Sequence, residues 1–362
     1  MADLTTLLTR LGARFRGASD PSDFGDPAAE LREAESTFVA GLLPWEGLVR
    51  VGGTEAVAFL QRLLSCDLRD LAPGGSTAGC LLSPTGRALA VVLALRTEEE
   101  VFLAVETSFA RPLAQALERY RFAEAVEIAD RSESASWLVL LGPKAPDALR
   151  AVGIVEPAAR GSHSPLPTSE RDGRILRADF LGVPEFRLLA SREQTAPLLE
   201  RLLASARGGK PIGTVALEHL RIRAGLPRPG IDLDDSVYPE EVGLEAALST
   251  SKGCYPGQEV VAKIRTYGGA KRRLVVLRFE TGARPSRGDP VEADGAEVGR
   301  VTSASADVGL ALPLALAIVR REALAGSAEI RVGGREGPLR AAVVPFNEGG
   351  RTGLPSRDAR AD

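Results

Sequence analysis

Lys252-Gly253-Cys254-Tyr255-Pro256-Gly257-Gln258-Glu259 packs two glycines, a thiol, a cation and an acid into eight residues. Gly253 and Gly257 permit backbone conformations and close approaches that other residues resist. With Pro256 between them, the stretch reads as a loop or bend and not a helix. If the backbone is extended there, Lys252 and Cys254 point to the same side. An ammonium beside the thiol would favour the thiolate and raise its nucleophilicity. The competing reading is a small buried cysteine in a glycine turn.

Downstream of this segment the chain changes character. Gly268-Gly269 is suited to a hinge. After it, Leu274 to Phe279, Gly299 to Ser303, Ala315 to Val319, Glu329 to Val332 and Leu339 to Val344 are short apolar runs separated by Gly, Pro and Asp. Five or six strands with at most a turn of helix near Glu322 to Leu324 predict a small barrel or sandwich. Upstream, strand-like and helix-like runs alternate. Leu48 to Val51 is a strand, and Thr54 is placed to cap a helix carrying Ala56, Leu60, Leu63 and Leu64. Leu89 to Leu95 and Val101 to Val105 flank a polar turn as a hairpin. A helix with Pro112 in its first turn follows. The same grammar repeats: strands at Trp137 to Leu141, Ile175 to Phe180 and Phe186 to Ala190, and helices at Lys144 to Val152, after a Thr195 cap, and at Val215 to Ala224. Mixed strands, hairpins and helices of this kind predict an α+β fold. The division expected is a flexible arm (1–36), a body of two α/β units (37–268), a C-terminal β-barrel (269–346) and a disordered tail (347–362).

Composition narrows the function. The 362 residues are 44% hydrophobic and 26% charged, with a net charge of −3, so no basic field of the kind general nucleic-acid binding requires is present. No run reaches the roughly 18 apolar residues a membrane helix needs. The N-terminus lacks a cationic start followed by an apolar region, so the cytoplasm is the expected compartment. Three cysteines (Cys66, Cys80, Cys254) and two histidines show no metal-ligand spacing, and no metal is expected. His163 reads as a solvated loop histidine, and His219 as a helix-surface or core one.

Lys-Gly-Cys-Tyr-x-Gly-Gln-Glu resembles the signature of the YgfZ family of folate-binding proteins, relatives of the glycine-cleavage aminomethyltransferases. The flanks agree: Arg221 to Pro227, Pro239 to Leu244, Gly269 to Leu274, Val51 to Gln61 with Cys66-Asp67, and Leu81 to Arg87 all resemble segments of the wider superfamily. The resemblance implies an aminomethyltransferase-like folate-binding fold arranged around a central channel, with tetrahydrofolate or a derivative as cofactor. It places Glu185, in Gly182-Val183-Pro184-Glu185-Phe186, where the superfamily anchors the guanidine-like edge of the pterin. Arg221, Arg223 and Arg228 become candidates for the folate's anionic tail. It also implies that Cys254, tuned by Lys252, is a reactive thiol at the channel's edge, within a motif loop completed by Gly253, Tyr255, Gly257, Gln258 and Glu259. The implied role is support of iron–sulfur cluster assembly or repair under oxidative stress, with an indirect effect on tRNA modification. Folate and iron–sulfur proteins or assembly factors are the expected partners, without nucleic acid or membrane, and the expected state is a monomer. One departure stands out: the transferases follow an Asn-rich strand with a catalytic Asp, and Phe102 to Phe109 contains none. A true aminomethyltransferase is therefore the second reading, and a scaffold with a vestigial folate site the third.

Overall fold

The computed structural model describes residues 3–17, 20–167, 172–205, 208–305, 312–324, 329–334 and 337–344. Two sheets form the body. One runs Ser76–Leu82, Ala88–Arg96, Glu100–Glu106, Glu46–Gly52, Glu127–Asp130, antiparallel throughout. The other runs His163–Pro165, Arg174–Arg177, Glu185–Ser191, Ala135–Leu141, Val39–Leu42, Lys210–Pro211, with only the last pair parallel.

Side-chain parity explains why these strands read as almost unbroken apolar runs. Alternate residues of a strand face opposite sides of its sheet. Leu48, Leu93, Leu95, Phe102 and Ala104 of the first sheet meet Val39, Trp137, Val139, Leu141 and Leu189 of the second in one shared core. The opposite parity (Val49, Val51, Val92, Leu103, Val105) is covered by the helices Ala56–Leu63 and Thr107–Arg119. Leu138, Leu140, Phe186 and Leu188 are covered by Leu4–Arg10, Ala145–Ala151 and Arg192–Ala204. The body is thus helix, sheet, sheet, helix, and both faces of each sheet are dry. Phe102, wholly buried in the shared core, would cost about 3–5 kcal/mol to truncate to alanine.

The barrel closes in the order Arg272–Phe279, Leu314–Arg320, Ala296–Ala304, Pro290–Ala293, Ile330–Val332, Leu339–Val344. Its interior holds Val275, Leu277, Phe279, Val291, Ala315 and Ala317, while Leu274, Val276, Leu316 and Ile318 point outward against the body. The strand Pro290–Ala293 carries little sequence signal, because Pro290 and the short apolar content hide it.

Several local expectations are corrected. The segment 1–36, expected to be a loose arm, carries the helices Leu4–Arg10 and Pro27–Ser36 and a two-stranded ribbon, Arg14–Arg16 with Asp20–Asp23. Leu7, Leu8, Leu31 and Ala34 tie it to the two cores, and Asp26 caps the second helix through Ala28 N and Ala29 N. Thr54 is not a cap, since the helix begins at Ala56 with no side-chain cap. Thr195 lies inside its helix and donates to Ser191 O, while Ser191 accepts from Gln194 N as the cap. Pro112 sits in the second turn of its helix. The tail expected at 347–362 lies outside the described residues.

Candidate functional site

The same parity that fills the shared core leaves polar residues at one end of it. Glu46 follows the inward register of Leu48, Glu106 that of Phe102 and Ala104, and Arg187 that of Leu189. Glu46 and Glu106 are also direct partners across neighbouring antiparallel strands. They open onto a cavity of about 130 Å³ lined on its apolar sides by Trp45, Phe180, Leu181, Leu217 and Leu226.

Each carboxylate has its own arginine. Arg187 Nη1 donates to both oxygens of Glu46, at 2.7 and 3.0 Å, and its Nε donates to Glu185 at 2.8 Å. Arg228 holds Glu106 through Nε and Nη2, at 3.0 and 2.7 Å, and lies 5.0 Å over the ring of Trp45. Burial pushes the Glu46 carboxyl above its ordinary value, Arg187 opposes this, and the neighbouring Glu106 and Glu185 add to the rise.

Glu185 does not face the cavity. It is 0% exposed, and its Oε2 accepts from the backbone N–H groups of Phe180 and Leu181 at 2.8 and 3.1 Å while Oε1 takes Arg187. The residue expected to anchor a ligand instead fixes the turn before its own strand and orients Arg187, which occupies the cavity wall two residues on. The three arginines separate as well. Arg221 reaches the cavity wall but is buried and committed: it donates to Asp232 at 2.8 Å, to Ser303 Oγ at 2.8 Å, to the carbonyl of Leu226 and to Glu218. Asp232 in turn accepts from Thr302, Ser303 and the backbone N–H of Arg228, so this node joins helix, loop and barrel. Arg223 pairs with Glu35 on the surface, away from the cavity. Of the three, Arg221 and Arg228 line the cavity, and Arg228 is held there by Glu106.

The signature segment lies elsewhere. Gly253 has φ +100°, so the backbone is not extended, and Lys252 and Cys254 diverge. The half-buried Lys252 donates its Nζ to Gln61 O and packs 5.2 Å from the Tyr255 ring. Burial lowers its pKa, and the charges it senses are those of Cys66, Asp67 and Arg69, not Cys254. Tuning of Cys254 by Lys252 is therefore corrected. Cys254 itself is exposed and is not among the residues that line the cavity. Tyr255 is buried and donates to Ser249 O, and Gly257 adopts φ +77° where a Cβ would fall 2.6 Å from Ser83 O. A helix, Gln258–Thr266, starts inside the stretch expected to be wholly loop, and Glu259 pairs with Lys263 along it. Cys66 and Cys80 are buried thiols, the former pushed up to about 12 by burial.

His163 is not solvated. It is buried on a short strand with Nε2 against Arg96 O, and burial lowers it to about 4; His219, buried in the helix Thr214–Arg223, is lowered to about 4 for the same reason. Among the described residues no group of three His, Cys, Asp or Glu could hold a metal ion, and no helix is long and apolar enough to cross a membrane.

Residues 44–252 match the GCVT N-terminal domain and residues 272–347 the glycine cleavage T-protein C-terminal barrel domain. The chain belongs to the glycine cleavage T-protein family. It is 30% identical to an aminomethyltransferase of Geobacillus kaustophilus over 95% of this chain and 96% of that one. It is 29% identical to a protein of Arabidopsis thaliana named "Putative transferase At1g60990, chloroplastic", over 71% of this chain and 59% of the plant protein's length. The crystal structure of the glycine cleavage system aminomethyltransferase T from Bartonella henselae superposes with a TM-score of 0.84 over 96% of this chain and 97% of that one, at 23% identity. The aminomethyltransferase-like α+β fold with a closed C-terminal barrel is thereby established. Tetrahydrofolate as cofactor is consistent with membership in this family.

Proposed function

We propose that this chain is a tetrahydrofolate-binding protein of the YgfZ type that supports iron–sulfur cluster assembly or repair in the cytoplasm, and so tRNA modification indirectly, through Cys254. The cavity fits the cofactor's chemistry: Trp45, Phe180 and the leucines offer flat apolar walls, and Glu46 and Glu106 offer acceptors to a guanidine-like edge. Bound folate would supply a carrier for a one-carbon unit. Glu46 and Glu106 orient it, Arg187 and Arg228 hold those carboxylates in place, and the apolar walls exclude water.

The observation that carries the reading is the separation of thiol from cavity. Both cavity carboxylates are already engaged by arginines, whereas Cys254 stands in solvent on its own loop, accessible to another protein. A folate titration of wild type, Glu46→Gln, Glu106→Gln and Cys254→Ala tests it. Each glutamate change is expected to weaken binding about 10- to 100-fold, the worth of a charge-assisted hydrogen bond, while Cys254→Ala binds normally. Cys254→Ala is further expected to fail to complement a strain lacking its own copy under oxidative stress, and full rescue would remove the thiol from the mechanism.

One observation favours a second reading, folate-dependent aminomethyl transfer. Glu106 closes the strand where the transferases were expected to carry Asp and sets a carboxylate in the cavity wall. Methylene-tetrahydrofolate formation from an aminomethyl donor, lost in Glu106→Gln, would establish that activity.

A further inference from the structure

A second recess lies in the seam between body and barrel, separate from the cavity. It holds about 530 Å³ and is lined by Arg272, Arg287, Arg300 and Arg320 together with Asp234 and Glu297. The loop from Leu226 to Asp234 divides the two: Leu226, Arg228 and Leu233 line the cavity, and Ile231 and Asp234 line the recess.

The strand register brings three of these arginines onto one face. Arg272 is the direct cross-strand partner of Arg320, and Arg300 that of Ile318, which shares a face with Arg320 two residues on. Leu274 and Ile318 continue this face as a buried apolar row against the body, so the arginines form its polar rim. Like charges directly opposed across strands destabilise a sheet unless something offsets them. The protein offsets only part of the charge. Arg272 is held by Glu241 at 2.7 and 2.8 Å, and Arg287 donates to Ile231 O at 3.2 Å. Arg300 and Arg320 have no hydrogen bond or ion pair among the described residues. Asp234 accepts from the hydroxyl and backbone N–H of Ser236 and also feels Arg300 and Arg287, which help hold its carboxyl below the ordinary value, so it offsets part of their charge without an ion pair; Glu297 is exposed at the edge. Asp232, at the floor, is consumed by Arg221 and the two barrel hydroxyls.

We propose that this seam is a binding site for a phosphoryl-bearing small molecule, with Arg300 and Arg320 as its primary donors and Arg272 and Arg287 flanking them. Guanidinium forks match the tetrahedral oxygens of a phosphate dianion bidentately, and the forks of Arg300 and Arg320, the latter opposed to Arg272, meet both the geometry and the charge. The shared chemistry is the phosphate group, from inorganic phosphate or pyrophosphate or from a nucleotide.

Thermal unfolding and calorimetric titration of the full chain with pyrophosphate test the site, with sodium chloride at matched ionic strength as the control. Pyrophosphate is expected to raise the Tm of wild type beyond the salt control and to bind at least about tenfold more weakly to Arg300→Gln/Arg320→Gln, one charge-assisted contact being worth that much. Arg320→Gln alone should melt higher than wild type without ligand, because it removes the opposed charge. Adenosine diphosphate run in parallel separates the sources: tighter binding than pyrophosphate assigns the phosphate to a nucleotide, and equal binding assigns it to the free anion. A pyrophosphate effect that salt reproduces, or one that survives intact in the double variant, overturns the proposal. So does Arg320→Gln melting at or below wild type while pyrophosphate leaves wild type unmoved.

Discussion

The cavity wall and the Cys254 loop use charge in opposite ways. At the wall, Glu185, Arg187 and Glu46 form a buried chain in which every charge has a partner, and Arg228 and Glu106 form a second. At the loop, the thiol has solvent for a neighbour and the lysine two residues away is engaged elsewhere. A buried charge network fixes geometry at the cost of intolerance to change, whereas an exposed group on a glycine loop can be altered without touching the fold. The two regions therefore predict opposite responses to mutation.

The largest effect is expected at Arg187. Arg187→Met strands Glu46 and Glu185 without their cation and should cost about 3–5 kcal/mol in denaturant unfolding, with loss of folate binding. Acid titration comes next. Burial lowers His163 and His219 to about 4, so the stability each contributes is complete above pH 6.5 and is lost as pH falls through 4. That is on the order of 3 kcal/mol per histidine, and His163→Gln should flatten the fall in unfolding free energy across this window. Glu240 runs the other way. Its oxygens are buried without a partner among the described residues, and burial raises its carboxyl. Its contribution is complete below the ordinary glutamate value and is lost as pH rises through the raised one. Wild type should therefore gain on Glu240→Gln as pH drops from 7 towards 4.5, as read by paired thermal melts.

The smallest effects belong to the loop. Cys254→Ser should shift stability by no more than about 0.5 kcal/mol. Lys252→Met should leave the rate of Cys254 alkylation within about twofold of wild type, since its ammonium does not face the thiol. A tenfold slowing in that variant would mean that the ammonium does act on the thiol.

Much of the fold was legible because parity and periodicity report burial. The hairpin at Leu89 to Val105, the helix at Val215 to Ala224 and most barrel strands follow from alternating or continuous apolar runs bounded by turn residues. The N-terminal segment looks like a loose arm in sequence because its Gly, Asp and Pro mark caps and ribbon turns, and its few leucines gain their burial from distant helices. The site was less legible for a similar reason. Glu185 and Arg187 lie on the same strand face, and which of them reaches the cavity depends on the turn at Phe180 and Leu181, not on strand period. Glu46 and Glu106 carried an available signal: each is the next inward position after a buried Leu48 or Ala104, and their pairing follows once the two strands are aligned. The divergence of Lys252 from Cys254 depends on the positive φ of Gly253, which no alternation rule supplies.

The Arg221–Asp232 node has a consequence for how the molecule comes apart. Its donors and acceptors come from the helix Thr214–Arg223, from the loop after it and from the barrel's Thr302 and Ser303. Lifting the barrel off the body would leave Asp232 with one arginine and no hydroxyls while exposing Leu274 and Ile318. Partial melting is thereby penalised at both ends, so the two units share one cooperative transition and a calorimetric scan should trace a single endotherm.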